Sequence, residues 1–323
     1  MVPETQESKT MGEKMQSVPK WVLYVILFIC TSVPLFFPIP VPNKPFDASV
    51  DLFAKLMKLP EGSSVLIGSD WTNSTRGESG GEMEALLRIL MRRNIKFAIY
   101  STADPQAPQV AIDTVTRINA ERKAKGQKEY VRFQDWVSLG YFANSEGENQ
   151  AIASDVHKAF SGKQDVQPGH PPQDVFSSPV FKDIHKTSDV QLLILLSASS
   201  TDTITIERLN GKIPLAFMVT GVMVPQEQVY YQSGQLVGMC GGLKGVYDLE
   251  TMMEYGLNVK GPDGVIHNVS DHVADEIPGF AGEQNFGKGA GYWPTLHVAL
   301  TLLILAVFIG NLGMFLSRAS RKS

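Results

Sequence analysis

Residues 64–101 read SVLIGSDWTNSTRGESGGEMEALLRILMRRNIKFAIYS. The first six residues are a short apolar run that stops at Asp70, the pattern of a buried strand. A polar loop follows. Residues 80–94 then place Met83, Leu86, Leu87, Leu90 and Met91 on one helical face. Glu82 and Glu84 stand in the first turn of that helix and Arg92 and Arg93 in its last, the arrangement the helix dipole favours. KFAIYS, residues 96–101, is a second strand. A strand, a helix and a strand of these lengths predict two parallel strands joined by a right-handed crossover.

The pattern repeats outward. Residues 108–125 form a second helix ended by Gly126. A third strand lies within 131–139, and a third helix spans 150–160 with Ile152, Val156, Ala159 and Phe160 on one side. Residues 161–188 are polar and proline-bearing, a surface excursion or lid. VQLLILL, residues 190–196, is the most apolar strand and runs into Ser197-Ala198-Ser199-Ser200-Thr201. The piece DTITIERLNG has two readings: Ile204 and Ile206 alternate as in a strand, whereas Asp202 is placed to open a helix. Residues 213–220 are a fifth strand. Alternating strands and helices predict an α/β class domain, a Rossmann-like, doubly wound, mostly parallel sheet. No repeat of about 20–50 residues is present.

An apolar run bounds this domain on each side. Residues 295–316 contain no Asp, Glu, Lys or Arg; Tyr292 and Trp293 precede them and Arg318, Arg321 and Lys322 follow. A spanning helix needs about 20 such residues. Residues 21–39 are uncharged as well, with Pro34 near their far end. A long, partly acidic leading segment and the lack of a small-residue cleavage site favour an anchor over a cleaved signal. The expected layout is a tail over 1–20, a span over 21–39, a domain over 40–291, a span over 292–317 and a tail over 318–323. Basic residues gather in the two tails, so both termini are expected to be cytoplasmic and the domain extracytoplasmic. The lipid bilayer and other membrane proteins, or a second copy, are the expected partners.

The chain carries 29 Lys and Arg and 33 Asp and Glu; setting aside six basic and three acidic residues outside 44–292 leaves 23 and 30. That acidic balance excludes a polybasic nucleic-acid binder. The domain holds only Cys240, so no internal disulfide forms. No Gly-x-Gly-x-x-Gly opens the first helix and no Walker lysine pattern occurs, and no cofactor is expected.

Gly234, Gly238, Gly241 and Gly245 recur at helical spacing and, if helical, form one smooth stripe. Such a stripe serves close packing on the domain's own sheet or a partner's helix. The neighbouring motifs carry a resemblance: Tyr230, Tyr231, Ser233-Gly234-Gln235-Leu236, Gly238, Gly241-Gly242-Leu243-Lys244-Gly245 and Glu250, with the stretch around Glu82 and Leu139-Gly140-Tyr141. These resemble a family of uncharacterised prokaryotic membrane proteins with an extracytoplasmic Rossmann-like domain between two terminal spans. The resemblance covers most of 40–255 and implies an architecture and no activity. Against the helix pattern of that family, the stretch from Ile204 to Ile206 looks strand-like.

Three constellations bear on chemistry. Gly77-Glu78-Ser79-Gly80-Gly81 matches G-x-S-x-G, but the polar residues 71–76 separate it from the strand that a nucleophile elbow requires. The bland reading puts Ser79 near a helix N-cap. His267 and His272 stand five apart in HNVSDHVADE, one residue off the spacing of a zinc pair on a helix. No metal is expected there, and Ser270 capping a short helix is the simpler reading. His157 reads as a solvated helix residue, and His297 as an interfacial side chain of the second span. On the usual strand order, strands one and four flank the switch point where ligands sit. Asp70, Trp71, Ser199, Ser200 and Thr201 then line one crevice, with Arg76 as a partner for Asp70. The expected function is a non-catalytic scaffold, assembly or ligand-sensing subunit of a membrane complex. The alternatives are an anchored serine hydrolase using Ser79 and a nucleotide- or polar-ligand-binding domain.

Overall fold

A computed structural model describes residues 11–37, 41–200 and 202–320. Pro38 to Pro40, where the first apolar run ends, and Thr201 lie outside the described residues. In chain order the helices are α1 (Met11–Gln16), α2 (Lys20–Phe36), α3 (Asp47–Met57), α4 (Ser79–Arg92), α5 (Ala107–Ala124), α6 (Ser145–Ser154), α7 (Val156–Ala159), α8 (Asp202–Leu209), α9 (Val224–Gln232), α10 (Gly242–Tyr255) and α11 (Lys288–Ser320). The strands are β1 (Ser64–Asp70), β2 (Lys96–Ser101), β3 (Trp136–Tyr141), β4 (Gln164–Asp165), β5 (Gln173–Asp174), β6 (Leu193–Ser197), β7 (Leu215–Val219) and β8 (Gly238–Gly241). The chain divides into two compact units: residues 43–289, and residues 1–42 with 290–323.

The first unit is a six-stranded sheet in the order β3-β2-β1-β6-β7-β8, parallel throughout. Strands of such a sheet are buried on both faces, and every residue of β1, β6 and β7 is buried. Val65, Ile67, Phe97, Ile99, Ile194, Leu196, Ala216 and Met218 face a core shared with α3, α4, α5 and α10. Leu66, Ala98, Tyr100, Leu193, Leu195, Leu215 and Phe217 face a second core with α6, α7 and α8. The chain turns back between β1 and β6, which makes that pair the switch point of a Rossmann-like order. The first crossover matches its sequence: α4 ends with Asn94 in the left-handed region at φ 55°, and the chain turns directly into β2.

Several elements differ from the sequence reading. Of the two readings of residues 202–209 the structure takes the helix, α8, opened by Asp202; Ile206 and Leu209 are buried while Ile204 is partly covered. The expected helix over 150–160 starts earlier, at Ser145, and breaks at Asp155, whose carboxylate caps α7 by accepting from the amides of His157 and Lys158. Residues 161–188 make no lid. Val175, Val180, Phe181 and Ile184 are buried, and Lys96 and Phe133 fasten the segment near the amino-terminal ends of β2 and β3. Residues 267–276 form no helix; Ser270 Oγ only accepts from the His272 amide in a turn.

The glycine stripe is not one helix. Gly234 lies in a turn at φ 76°, Gly238 and Gly241 begin and end β8, and Gly245 is in α10. Gly238 nonetheless serves close approach: a Cβ there would lie 2.4 Å from the Leu52 amide nitrogen of α3.

Both ends of this unit are held on α10. Asp248 accepts from the Phe46 amide at 3.0 Å and pairs with Lys244, which also donates to the Lys44 carbonyl at 3.0 Å. Asn43 donates to Thr251 Oγ1 at 2.9 Å. At the other end the Gly289 amide donates to Glu250 at 3.0 Å.

In the second unit, α11 is the one helix among the described residues that is long and apolar enough to cross a membrane. The helix α2 has 17 residues and contains Pro34. At 1.5 Å per residue it reaches about 25 Å, short of a hydrocarbon core of about 30 Å. The expected span over 21–39 thus has a described helix shorter than a span requires. Helix α1 lies against the far end of α11, where Gln16 donates to Ser317 Oγ at 2.9 Å and Gly12 packs on Gly313. His297 sits on Trp293, with ring centroids 4.1 Å apart.

Candidate functional site

The carboxyl ends of β1, β6, β7 and β8 open onto one edge of the sheet. Asp70 closes β1, yet its carboxylate is already served by the turn after β2. It accepts from Ser101 Oγ at 2.8 Å, the Thr102 amide at 2.7 Å, Thr102 Oγ1 at 2.9 Å and the Ala103 amide at 3.2 Å. These donors take the role the sequence reading gave to Arg76. Trp71 is buried, and its indole Nε1 has no hydrogen-bonding partner. After β6, Ser197 and Ser199 close a tight turn, with Ser197 Oγ donating to the Ser199 carbonyl at 2.9 Å. Ser200 is exposed, and Thr201 is outside the described residues.

Acidic side chains from the helix starts complete the edge. Glu78 accepts from the Gly221 amide at 2.6 Å, just beyond β7. Glu82, in the first turn of α4, is fully buried with no well-formed hydrogen bond to either oxygen, although the Gly242 backbone faces it. Burial, reinforced by Glu78, raises its pKa well above the ordinary carboxylate range. Asp202 opens α8 with both oxygens unpartnered; burial pushes it up to about 6, against partial relief from its own first-turn backbone and with Asp70 adding to the rise. Glu227 of α9 has 0% exposure and no partner, and burial together with Asp202 pushes it up to about 7.

Ser69, Ser79 and Thr220 add hydroxyls that are buried without partners. Seven of the thirteen described residues with such buried atoms therefore belong to this one edge: Ser69, Trp71, Ser79, Glu82, Asp202, Thr220 and Glu227. Buried polar groups are paired as a rule, and leaving one unpaired costs about 1–3 kcal/mol. Their concentration at the switch point, where ligands of open α/β sheets sit, marks the edge as the candidate site.

Of the residues the sequence pointed to, Asp70, Trp71, Ser199 and Ser200 are at this edge, and Ser79 joins them from α4. The acids Glu78, Glu82, Asp202 and Glu227 were missed as site residues. Their signal was present: each stands in or just before the first turn of a helix that follows a strand. Ser79 begins α4 beyond a 3-10 turn at Asn73–Thr75, and with no partner for its Oγ no base stands beside it.

The two histidines weighed as a metal pair are apart in their contacts. His267 stacks on Tyr255 and His272 pairs with Asp47 at 3.0 Å. Among the described residues no three His, Cys, Asp or Glu side chains converge as a metal centre. His157 is held rather than solvated, bonded to the Ile184 carbonyl at 2.6 Å and stacked on Phe176. The opposite edge holds a basic cleft lined by Arg88, Arg92, Arg122 and Lys125, and two of these cations are ion-paired, Arg88 with Glu121 and Arg92 with Glu283. Comparison with protein-family models, curated proteins and solved structures gave no match.

Proposed function

We propose that this chain is a membrane-anchored, non-catalytic ligand-sensing subunit of a membrane complex, its α/β domain extracytoplasmic and both termini cytoplasmic. The observation that carries the sensing role is the set of buried, unpartnered polar atoms at the carboxyl edge of the sheet. Such atoms cost stability, and a bound polar ligand offsets that cost by supplying the missing partners. The anchoring role is supported by α11 as a membrane-length helix and by the apolar α2. Support for two tethers comes from α10, which holds both residues 43–46 and Gly289. Support for termini on one side comes from α1 lying against the far end of α11.

The alternative readings find less. A serine hydrolase needs a base beside Ser79, and the Ser79 Oγ has no partner. A nucleotide site needs free backbone amides for phosphate. Here Glu78 takes the Gly221 amide and Glu82 faces the Gly242 backbone, so carboxylates stand where phosphate oxygens would bind.

Native mass spectrometry of the full chain extracted in mild detergent tests the reading. A stable complex, with another membrane protein or with a second copy, is expected. A lone monomer with no co-purifying partner overturns the subunit role.

A further inference from the structure

Apart from the Trp71 indole Nε1, a donor, the unpartnered atoms at the carboxyl edge can all accept a hydrogen bond. Glu82, Asp202 and Glu227 contribute six carboxylate oxygens, and Ser69, Ser79 and Thr220 add hydroxyls that can accept. Among the described residues no Lys or Arg side chain forms an ion pair with any of these three acids. Lys288, the cation nearest the start of α4, is engaged by Glu84 at 2.9 Å and by the Arg76 carbonyl. The indole of Trp71 packs at the start of α4, its ring against Gly80. Acceptors with an aromatic wall are the recognition chemistry of an ammonium group.

The layout distinguishes an organic cation from a metal ion. Among the described residues no three acids converge on a point where one ion could be held. They are instead strung across neighbouring strands: Asp70 ends β1, Asp202 follows β6 and Glu227 follows β7. Strands lie about 4.8 Å apart, so the strand ends that lead into this row span about 10 Å. The acids sense one another along it, Asp70 raising Asp202 and Asp202 raising Glu227.

We infer that the carboxyl edge of the sheet binds an organic polyamine, with Asp202 and Glu227 receiving its ammonium groups and Trp71 forming the aromatic wall. The inference rests on the sensing role proposed above and narrows it to a ligand class. Separated charges match separated carboxylates, and ammonium donors supply what the acids and hydroxyls lack.

The test is thermal unfolding and calorimetric titration of the full chain in detergent with putrescine and spermidine. Butylamine, magnesium chloride and the neutral 1,4-butanediol serve as controls at matched ionic strength. Expected are a saturable rise in Tm with the polyamines, a weaker response to butylamine and none to magnesium or the diol. Glu227→Gln and Asp202→Asn should each weaken polyamine binding at least tenfold. Both variants replace a carboxylate by an amide of the same shape, and their near-UV circular dichroism reports whether the fold is kept. Quenching of Trp71 fluorescence by the polyamine, lost in Trp71→Phe, gives a second readout. Saturable binding of magnesium alone overturns the inference in favour of a metal site. No saturable response to any amine, or binding that both variants leave unchanged, overturns it outright. If the polyamines fail while a panel of neutral sugars and amino acids yields a binder, the ligand class falls and the sensing role stands.

Discussion

Replacing Glu227 by glutamine should stabilise the α/β domain at pH 8.5 and do little at pH 5. The Glu227 carboxyl has 0% exposure and no hydrogen-bonding partner, and burial with the nearby Asp202 lifts its pKa from the ordinary 4.5 to about 7. Between those two values the folded chain holds a proton that the unfolded chain has released. Stability contributed by the neutral group is therefore complete below about pH 4.5 and lost as pH rises toward 7. At about 1.4 kcal/mol per tenfold, that rise corresponds to about 3 kcal/mol between charged and neutral forms. Glutamine keeps the shape and removes the charge. The gain should approach about 3 kcal/mol at pH 8.5 and fall below about 1 kcal/mol at pH 5. For a domain of this size that is a Tm increase of about 6–12 °C at the higher pH. Thermal melts of the full chain in detergent, followed by tryptophan fluorescence and free of amines, read it directly. An equal gain at both pH values would mean that packing, not charge, set the effect. No gain at pH 8.5 would mean that the carboxylate is served by a partner in solution, and the account of the edge would fail.

Further outcomes follow from other contacts. Gly238→Ala should cost about 3 kcal/mol in urea unfolding, because the added Cβ meets the Leu52 backbone at 2.4–2.5 Å, and backbone does not yield. Gly234→Ala, in an open turn at φ 76°, should cost only about 1 kcal/mol of left-handed strain. Asp248→Ala removes the acceptor for Phe46 and the partner of Lys244 and should cost about 3–5 kcal/mol. Hydrogen exchange should show protection lost first at the Phe46 amide. Gly12→Val should release α1 from α11, because a Cβ there would lie 2.7 Å from both the Gly313 carbonyl oxygen and the Ser317 amide nitrogen; unchanged hydrogen exchange of the α1 amides would refute that packing.

The legible parts of the fold were those where burial on two faces wrote itself as composition. β1, β2, β6 and β7 each centre on a short apolar run, and α4 carries its buried stripe at clean helical spacing. β8 was hidden because its sequence is Gly-Met-Cys-Gly; close approach of Leu52 demands a glycine, and glycine erases the β signal. The same glycines, spaced by chance at helical intervals, suggested a stripe that a turn and a strand divide. α8 was masked by its β-branched residues, whose alternation in Thr203–Ile206 reads as a strand, while packing of α6 on α8 decides for the helix. Fold-level position placed Asp70 and Trp71 at the end of β1, which is where they stand. The acids were missed because a first-turn position equally suits an ordinary dipole partner, as with Glu82, and only the fold shows that it is buried.

The edge also separates what the fold needs from what it tolerates. At the opposite edge Arg88, Arg92, Arg132 and Asp165 are buried or half-buried and all are paired. The same chain therefore pairs most of the buried charge at that edge, with Arg93 Nε an exception. Leaving Glu82, Asp202 and Glu227 unpaired together is not the outcome of a sequence selected for stability, because each costs about 1–3 kcal/mol or a proton. Groups that destabilise the fold persist when activity depends on them. The triple variant Glu82→Gln, Asp202→Asn, Glu227→Gln should accordingly be more stable than the natural chain at pH 8.5, by less than three times the single gain since the acids repel one another. It should also lose every polyamine-induced rise in Tm. A triple variant that is less stable at pH 8.5 would show that the acids hold the edge together, and the case for a ligand site there would collapse with it.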